Sequence, residues 1–548
     1  MPLPRPCLPL VPTPDEMRQW DAHSAALGLP PAVLMENAAR AALVVLREHV
    51  GALCGKRVLC YMGSGNNGGD AACLARHAQD LGAEVLVAHV PPLSRTRDAA
   101  RLHVRVAQAC GVPFARVRHG NLARSLPGPE WLTPDIIVDG LLGTGFHGAL
   151  RPDMQALITA VNAQANASRA FVLALDTPSG CDALTGLPCP CCLTATATTC
   201  LGAAKPGLVL PHARPYTGTL HICDIGMPRT VHHASLCLLG RHCAPLLPTP
   251  PGAAHKGTFG HVLALGGSHA ADPAAPSGMY GAPQLSALAA LRMGAGLVSL
   301  AVPTPPPGLL APTPPAEVMT LNLPATPPGQ WDATLVPLLQ PLLARIDAHR
   351  GACAVGMGMG RGSGAAAFVE ALLRLPNRPP VVLDADALNL AARHRAILAL
   401  LTERDVATPH PAEAARLLGA DAHGARTVQA DRPGALEGLK ALAPCAWVLK
   451  GAGTLVGQRD AVSGMLPQDI PALAVAGSGD VLSGCVAALL GQGVSALEAA
   501  MLAVSIHAHA GLLAQARHPR GALAGELCGL LPEARATLAN MPEPLCWN

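Results

Sequence analysis

The stretch Arg57–Asp70, RVLCYMGSGNNGGD, decides how this chain folds. An arginine leads five apolar residues, a run of the right length for a buried strand. Glycines at 63, 65, 68 and 69 then interrupt it, and apolar periodicity over about Ala71–Leu81 predicts a helix. A strand, a glycine-rich turn and a helix make the opening unit of a parallel α/β domain.

The same alternation runs outward from there. Asp15–Val50 reads as helix broken at Pro30-Pro31. Strands are expected at Glu84–His89, Asp135–Asp139, Ala170–Asp176, Thr194–Cys200 and Thr219–Asp224. Gly226–Ala254 has little periodicity, and Pro245–Gly252 has the composition of a linker. A second series follows, with strands at His261–Leu265, Leu297–Val302, Cys353–Val355, Val381–Asp384, Val406–Thr408 and Ala446–Lys450. Helices are expected at Ala282–Met293, Gly479–Leu490 and Ala496–Arg517, and a proline-rich loop over Pro303–Gln330. The expected fold is α/β, with two doubly wound three-layer domains spanning 1–245 and 246–548. At about 150 to 250 residues per α/β domain, 548 residues accommodate two.

Composition excludes several classes. With 39 Lys+Arg against 36 Asp+Glu, the chain has no basic footprint for nucleic acid and no run for an anionic membrane. Half the residues are hydrophobic, which excludes disorder over the whole chain. The proline-broken N-terminus lacks a signal-peptide core, and no apolar stretch considered reads as a membrane span. A cytoplasmic protein without membrane contact is the expectation. Eighteen cysteines form no disulfide framework. Cys189, Cys191 and Cys192 can hold a soft metal, but no second Cys/His pair accompanies them, and they read as reduced, small hydrophobes.

Three polar loops in the first half end strands that a parallel sheet would bring to one crevice. Asn66-Asn67-Gly68-Gly69-Asp70 offers backbone amides to an anion and two neutral carbonyls as ligands. The second loop is Asp139-Gly-Leu-Leu-Gly143-Thr144-Gly145 and the third Asp176-Thr-Pro-Ser179-Gly180. A dinucleotide fingerprint is a weaker reading of Gly63–Gly68, because the next strand ends in Val87-Ala88-His89 without the acid a ribose needs. Asx-turn caps would account for single residues of the pentad. In the second half, Ala476-Gly477-Ser478-Gly479-Asp480 precedes an apolar helix and forms an anion hole with an acid just inside it. No Walker-type phosphate loop occurs.

Taken in order, LMENAA (34–39), NNGGD, DGLLGTG and LDTPSG resemble the YjeF-type N-terminal domain, whose members include epimerases of hydrated NADH and NADPH. The resemblance spans about 15–235 and implies a Rossmann-like fold. It places a potassium site on Asn67, Asp139 and Ser179. It places substrate contacts on Asn66, Asn67, Gly68, Gly69, Asp70, on Gly143, Thr144, Gly145, Phe146, His147, Gly148, Ala149, and on Asp176, the implied acid–base group. Ala71 stands where the family usually has glycine.

The second half, over about 250–530, resembles the ribokinase-like fold and, within it, the ADP-dependent NAD(P)H-hydrate dehydratases. The matching residues are His255–Gly260, Gly266–Ser268, Tyr280–Pro283, Arg292–Val298, Asp384–Asn389, TPHPAE (408–413), LKGAGT (449–454) and AGSGD. The resemblance implies nucleotide contacts at Lys450, Gly451, Ala452, Gly453, Thr454 and Gly479. It implies substrate contacts at Ala282, Gly360, His410 and Asp480, with Asp480 catalytic and Mg²⁺ and ADP required. Gly356-Met-Gly358-Met-Gly360 replaces the usual GPGLG, and Ala412 a glycine.

Together these features predict a bifunctional isomerase and lyase. The N-domain would interconvert the R and S hydrates of NADH and NADPH at C6, and the C-domain would dehydrate the S epimer with ADP. The expected partners are these small molecules and further copies of the chain, a homo-oligomer. A ribokinase-like small-molecule kinase with a fused ligand-binding domain is the alternative, and a non-catalytic scaffold a third reading.

Overall fold

The structure is a computed structural model and describes residues 8–117, 121–269, 278–307, 313–348, 350–420, 424–542 and 545–547. It divides into two compact units, the first formed by Leu10–Cys237 with the strand Leu545–Trp547, the second by Leu238–Pro542 with the described residues 8–9. Gly240–Leu246, next to the expected linker, is a 3-10 turn of the second unit.

In chain order the strands are β1 Arg57–Met62, β2 Glu84–His89, β3 Phe114–Arg116, β4 Ile136–Gly140, β5 Phe171–Leu175, β6 Ala197–Leu201 and β7 Thr219–Cys223. Next come β8 Leu236–Leu238, β9 His261–Leu265, β10 Leu297–Pro303, β11 Met319–Leu323, β12 Gly351–Val355 and β13 Val381–Leu383. The last are β14 Val406–Ala407, β15 Ala446–Leu449, β16 Leu455–Gly457, β17 Ser463–Met465 and β18 Leu545–Trp547.

The first sheet runs β18-β7-β6-β5-β4-β1-β2-β3 and is parallel throughout. Strand residues alternate between faces, and β1 shows what that buries. Val58, Cys60 and Met62 enter one apolar core, Leu59 and Tyr61 the other. A sheet apolar on both faces needs helices on both, hence a doubly wound layer structure. The chain reverses its direction of winding between β1 and β4, so the loops after these strands open a crevice at the switch point.

The second sheet runs β11-β10-β9-β12-β13-β14-β15-β16-β17-β8 and is parallel from β11 to β15. The pairings of β16 with β15 and β17 are antiparallel. Loops after β12, β13, β14 and β15 follow four neighbouring parallel strands and so gather at one edge. The helix Ala496–Arg517 is long and apolar enough to cross a membrane, but 78% of its apolar window is buried, as in a core helix.

Two expectations need correction. The helix expected from Ala71 begins at Asn66, so the glycine pentad is its first turn. There the glycines serve close packing: a Cβ on Gly68 would lie 2.3 Å from the Gly63 carbonyl oxygen, and one on Gly69 2.6 Å from Met35 Sδ. The proline-rich segment holds β11, an edge strand whose mostly exposed side chains gave no alternating signal.

Candidate active sites

In the first unit, the loops after β1, β4 and β5 border a cavity of about 680 Å³. Asn66, Asn67 and Asp70 line it from the first helical turn, Gly143–Phe146 from the β4 loop, and Asp176 from the end of β5. No side chain caps the helix at Gly65, which leaves first-turn amides for a ligand. Gly68 and Gly69 pack behind the turn, and His147, Gly148 and Ala149 lie outside the lining.

Asp176 has φ of +62°, a left-handed conformation that costs a non-glycine residue of order 1–3 kcal/mol and is found at functional sites. Its carboxylate is fully engaged. Oδ2 accepts from the Thr144 amide at 2.9 Å and hydroxyl at 2.5 Å, and Oδ1 accepts from Lys205. Lys205 is 1% exposed and also donates to the Leu201 carbonyl at 2.9 Å. Burial pushes Asp176 up, but Lys205 and Thr144 outweigh it and hold the carboxyl below its usual range. A Cβ on Gly143 would lie 3.2 Å from both Asp176 Oδ2 and Asn67 Cβ, a tight approach.

Asp70 contrasts with Asp176. It is 6% exposed and has no hydrogen bond or ion pair among the described residues. Burial, then Asp176 and Asp21, push it well above the carboxylate range against the pull of Lys205. The cavity thus pairs a carboxylate held in its charged form with a carboxyl whose ionisation burial disfavours. Sequence reading did not single out Lys205 or Asp21: Lys205 lies in the loop after β6 and Asp21 in the helix Pro14–Ala26, outside the three loops read as converging.

Asp139 and Ser179 sit beneath this cavity, fully buried. Asp139 accepts from the Ser179 amide at 2.7 Å, the Ser179 hydroxyl at 2.6 Å and the Leu141 amide at 3.1 Å. Burial still pushes it up to about 6. Asn67 donates Nδ2 to the Leu142 carbonyl at 2.8 Å, and its buried Oδ1 has no partner. An orphaned amide oxygen, a hydroxyl and a carboxylate with no cation beside it form an all-oxygen set that fits a hard monovalent cation. The methyl of Ala71 packs on the strand, where a Cβ on Gly140 would meet it at 2.5 Å, so it does not narrow the cavity.

In the second unit, Lys450 follows β15 and donates to Asp384 Oδ1 at 2.7 Å, while Ser483 donates to Oδ2 at 2.6 Å. Gly479 is at this pair: its Cβ would lie 3.3 Å from Lys450 Nζ. Asp480 and Glu413 complete the cluster. Burial, together with Asp384, pushes each up to about 7 against the pull of Lys450. Three carboxylates around one ammonium leave the site short of positive charge, which fits a divalent cation on oxygen ligands. His410 caps the helix Pro411–Leu417 through Nδ1, taking the Ala412 amide at 3.1 Å, so Ala412 causes no obstruction. Burial and Lys450 push His410 down to about 4, so it is neutral.

The loop Gly451–Thr454 is braced by Arg432, a buried residue that sequence reading missed. It donates to the Leu449 carbonyl at 2.9 Å and the Gly453 carbonyl at 3.2 Å. Gly356, Gly358 and Gly360 all have positive φ, so the three glycines of the Met357/Met359 loop are needed. Gly360 donates to Asp386 Oδ2 at 3.0 Å. Ala282 lies in the first turn of Gly281–Arg292, a helix that packs on the Asp480 helix. Cys189, Cys191 and Cys192 form no metal-ligating group among the described residues.

Comparison with known proteins follows the same division. Residues 31–207 match the family described as YjeF-related protein N-terminus, and 274–533 match NAD(P)H-hydrate dehydratase. A bifunctional NAD(P)H-hydrate repair enzyme of Moorella thermoacetica is 37% identical over 97% of this chain and 98% of its own length. Its Escherichia coli counterpart is 33% identical over 94% and 92%. Among solved structures, an ADP/ATP-dependent NAD(P)H-hydrate dehydratase of Bacillus subtilis, crystallised with ATP and Mg²⁺, is 25% identical, covering 54% of this chain and 96% of its own, with a TM-score of 0.38.

Proposed function

Because the chain belongs to the bifunctional NAD(P)H-hydrate repair enzymes, we propose that its two units divide the repair between the two sites described. The protein interconverts the R and S hydrates of NADH and NADPH and dehydrates the S hydrate to the reduced cofactor. The alternative of a small-molecule kinase gives way to this family membership.

In our reading the first unit is the epimerase. The observation that carries it is the clamped Asp176 carboxylate facing a cavity that Asp70 also lines. Inverting C6 requires water to leave and return on the other face, with one proton given and one taken. Asp176 takes the proton from the incoming water, and Lys205 keeps it anionic until then. First-turn amides and the Gly143–Phe146 loop hold the hydrate. Potassium on Asn67, Asp139 and Ser179 would supply fixed charge beneath this floor.

In the second unit, Asp480 takes the proton of the C6 hydroxyl as that oxygen attacks the terminal phosphoryl of ADP. AMP departs, and loss of phosphate with a C5 proton restores the double bond. The Lys450–Thr454 loop and Gly479 contact the nucleotide. Ala282, Gly360 and His410 contact the hydrate. Mg²⁺, held by Asp384 and Glu413, would neutralise phosphoryl charge. A cytoplasmic homo-oligomer belongs to the same proposal, and light scattering tests the assembly.

The test is recovery of near-ultraviolet nicotinamide absorbance from a mixed R/S hydrate with ADP, ATP or neither. Full recovery with ADP is expected. Recovery that halts at the S fraction would remove the epimerase assignment, and no recovery with either nucleotide would remove the dehydratase.

A further inference from the structure

We infer that Glu36, Cys73 and His103 form a divalent transition-metal site, suited to Zn²⁺, that pins three helices of the first unit together. Glu36 comes from the helix Pro31–Val50, Cys73 from Asn66–Asp80 and His103 from Asp98–Ala109. One ligand atom from each lies within 4.8 Å of the other two. Cys73 Sγ is 3.2 Å from Glu36 Oε2, and His103 Nδ1 is 3.8 Å from the same oxygen.

His103 carries the argument. Its side chain is 8% exposed, and Nε2 is 3.0 Å from the Ala32 carbonyl. That carbonyl only accepts, so Nε2 bears the proton and Nδ1 presents a bare lone pair. Nδ1 has no hydrogen-bond partner although it is buried. A ring fixed through one nitrogen by a carbonyl, with the other free, is how metal-ligating histidines are held. At 3.8 Å the Glu36 oxygen is too far to hydrogen-bond Nδ1. That distance is close to a ligand-to-ligand edge of a zinc tetrahedron, roughly 3.3–3.7 Å from usual bond lengths.

The surrounding groups are compatible. Arg76 Nη2 lies 2.7 Å from Glu36 Oε2 and 3.7 Å from Cys73 Sγ, and His77 Nε2 is 2.7 Å from Glu36 Oε1. This network satisfies Glu36 and Cys73 and leaves His103 Nδ1 and Arg76 Nε without a partner. Burial and Glu36 push the Cys73 thiol up. A thiol binds such a metal as thiolate, releasing its proton to solvent, and thiolate plus carboxylate balance the two metal charges. Arg76 stays on the carboxylate. Glu36 is 31% exposed, which leaves the fourth position to water. The Cys73 helix carries Asn66, Asn67 and Asp70 in its first turn, so the metal would fix the helix that floors the cavity.

The test uses the full chain, stripped with a chelator and titrated with Zn²⁺ against a chromophoric competitor, with thermal melting in parallel. We expect one tight equivalent and a Tm raised by several degrees. Cys73→Ser and His103→Gln should each weaken binding at least 100-fold and remove the Tm shift. Cobalt should show a thiolate charge-transfer band that Cys73→Ser removes. Binding unchanged in His103→Gln, which leaves the thiol network intact, would overturn the proposal, as would no zinc bound by the parent chain. Zinc held elsewhere, for example at Cys189–Cys192, would appear as the first of these.

Discussion

Lys205 holds one oxygen of Asp176 and Thr144 holds the other, so the carboxylate that faces the cavity has no freedom to turn. The Lys205 ammonium is also what keeps it ionised against burial. Lys205→Met should therefore raise the Asp176 pKa. A carboxylate base is lost as pH falls through its pKa, so the acid limb of the epimerisation profile should move to higher pH, by about 1 unit or more. The stability this pair adds, present above the unfolded carboxylate value and lost as pH falls through the lower folded one, should decline too. An unmoved limb would show that Asp176 is not the titrating base.

The two sites should separate cleanly. Asp176→Asn is expected to lose epimerisation by at least about 10²-fold and to keep dehydration of pure S hydrate. Asp480→Asn should do the opposite. Single-epimer assays with ADP read both, and loss of both activities in either variant would argue against independent sites.

Gly68→Ala tests whether the first turn needs its close approach. A methyl would meet the Gly63 carbonyl oxygen at 2.3 Å. The backbone must shift, at about 1–3 kcal/mol. Urea unfolding should show that loss in the first unit, with epimerisation falling further than stability alone explains. Gly145→Ala, where nothing lies within 4 Å, is the control for stability alone.

Much of this was legible in residue order. The β1 run, the acids at strand ends and the helix start at Gly477 are all visible in local pattern, because parallel strands buried on both faces are nearly continuous apolar runs and glycine marks the turn before a helix. What escaped has a common cause. β3, β11, β16 and β17 are short or at an edge, and carry too few buried residues to stand out. Lys205, Arg432 and His103 act through partners far away in sequence, which no spacing rule reports. The glycine pentad was misread as a turn because two glycines break helices by propensity, while here packing against Gly63 and Met35 overrides it.

Acid should weaken the second unit. His507 is buried, 3.3 Å from the Ser478 hydroxyl, and burial pushes it down to about 4. Its proton then favours the unfolded chain, so stability is full above the unfolded value near 6.5 and is lost as pH falls toward 4. The loss at pH 5 should be on the order of 2 kcal/mol. Urea midpoints at pH 7 and 5 measure it, and His507→Gln should flatten the difference.

The cation set beneath the first cavity predicts ion selectivity. Potassium should raise the Tm of the first unit and its epimerisation rate, and lithium should do neither, since Asn67 Oδ1, Asp139 and Ser179 offer oxygens on a frame already fixed by hydrogen bonds. Asp139→Asn should remove the potassium effect. Equal responses to both ions would assign the Asn67 oxygen to another partner.

The position of β18 has a consequence for how such a chain can be made or divided. The strand that pairs with β7 is encoded beyond Leu238–Pro542, the main stretch of the second unit. During synthesis the first unit therefore waits with an open β7 edge through some three hundred codons, a period in which that edge is free to pair wrongly. A gene cut at the junction near Leu238 would not release two whole proteins. It would yield one protein missing a strand and another trailing it, which gives selection a reason to keep the two activities on one polypeptide.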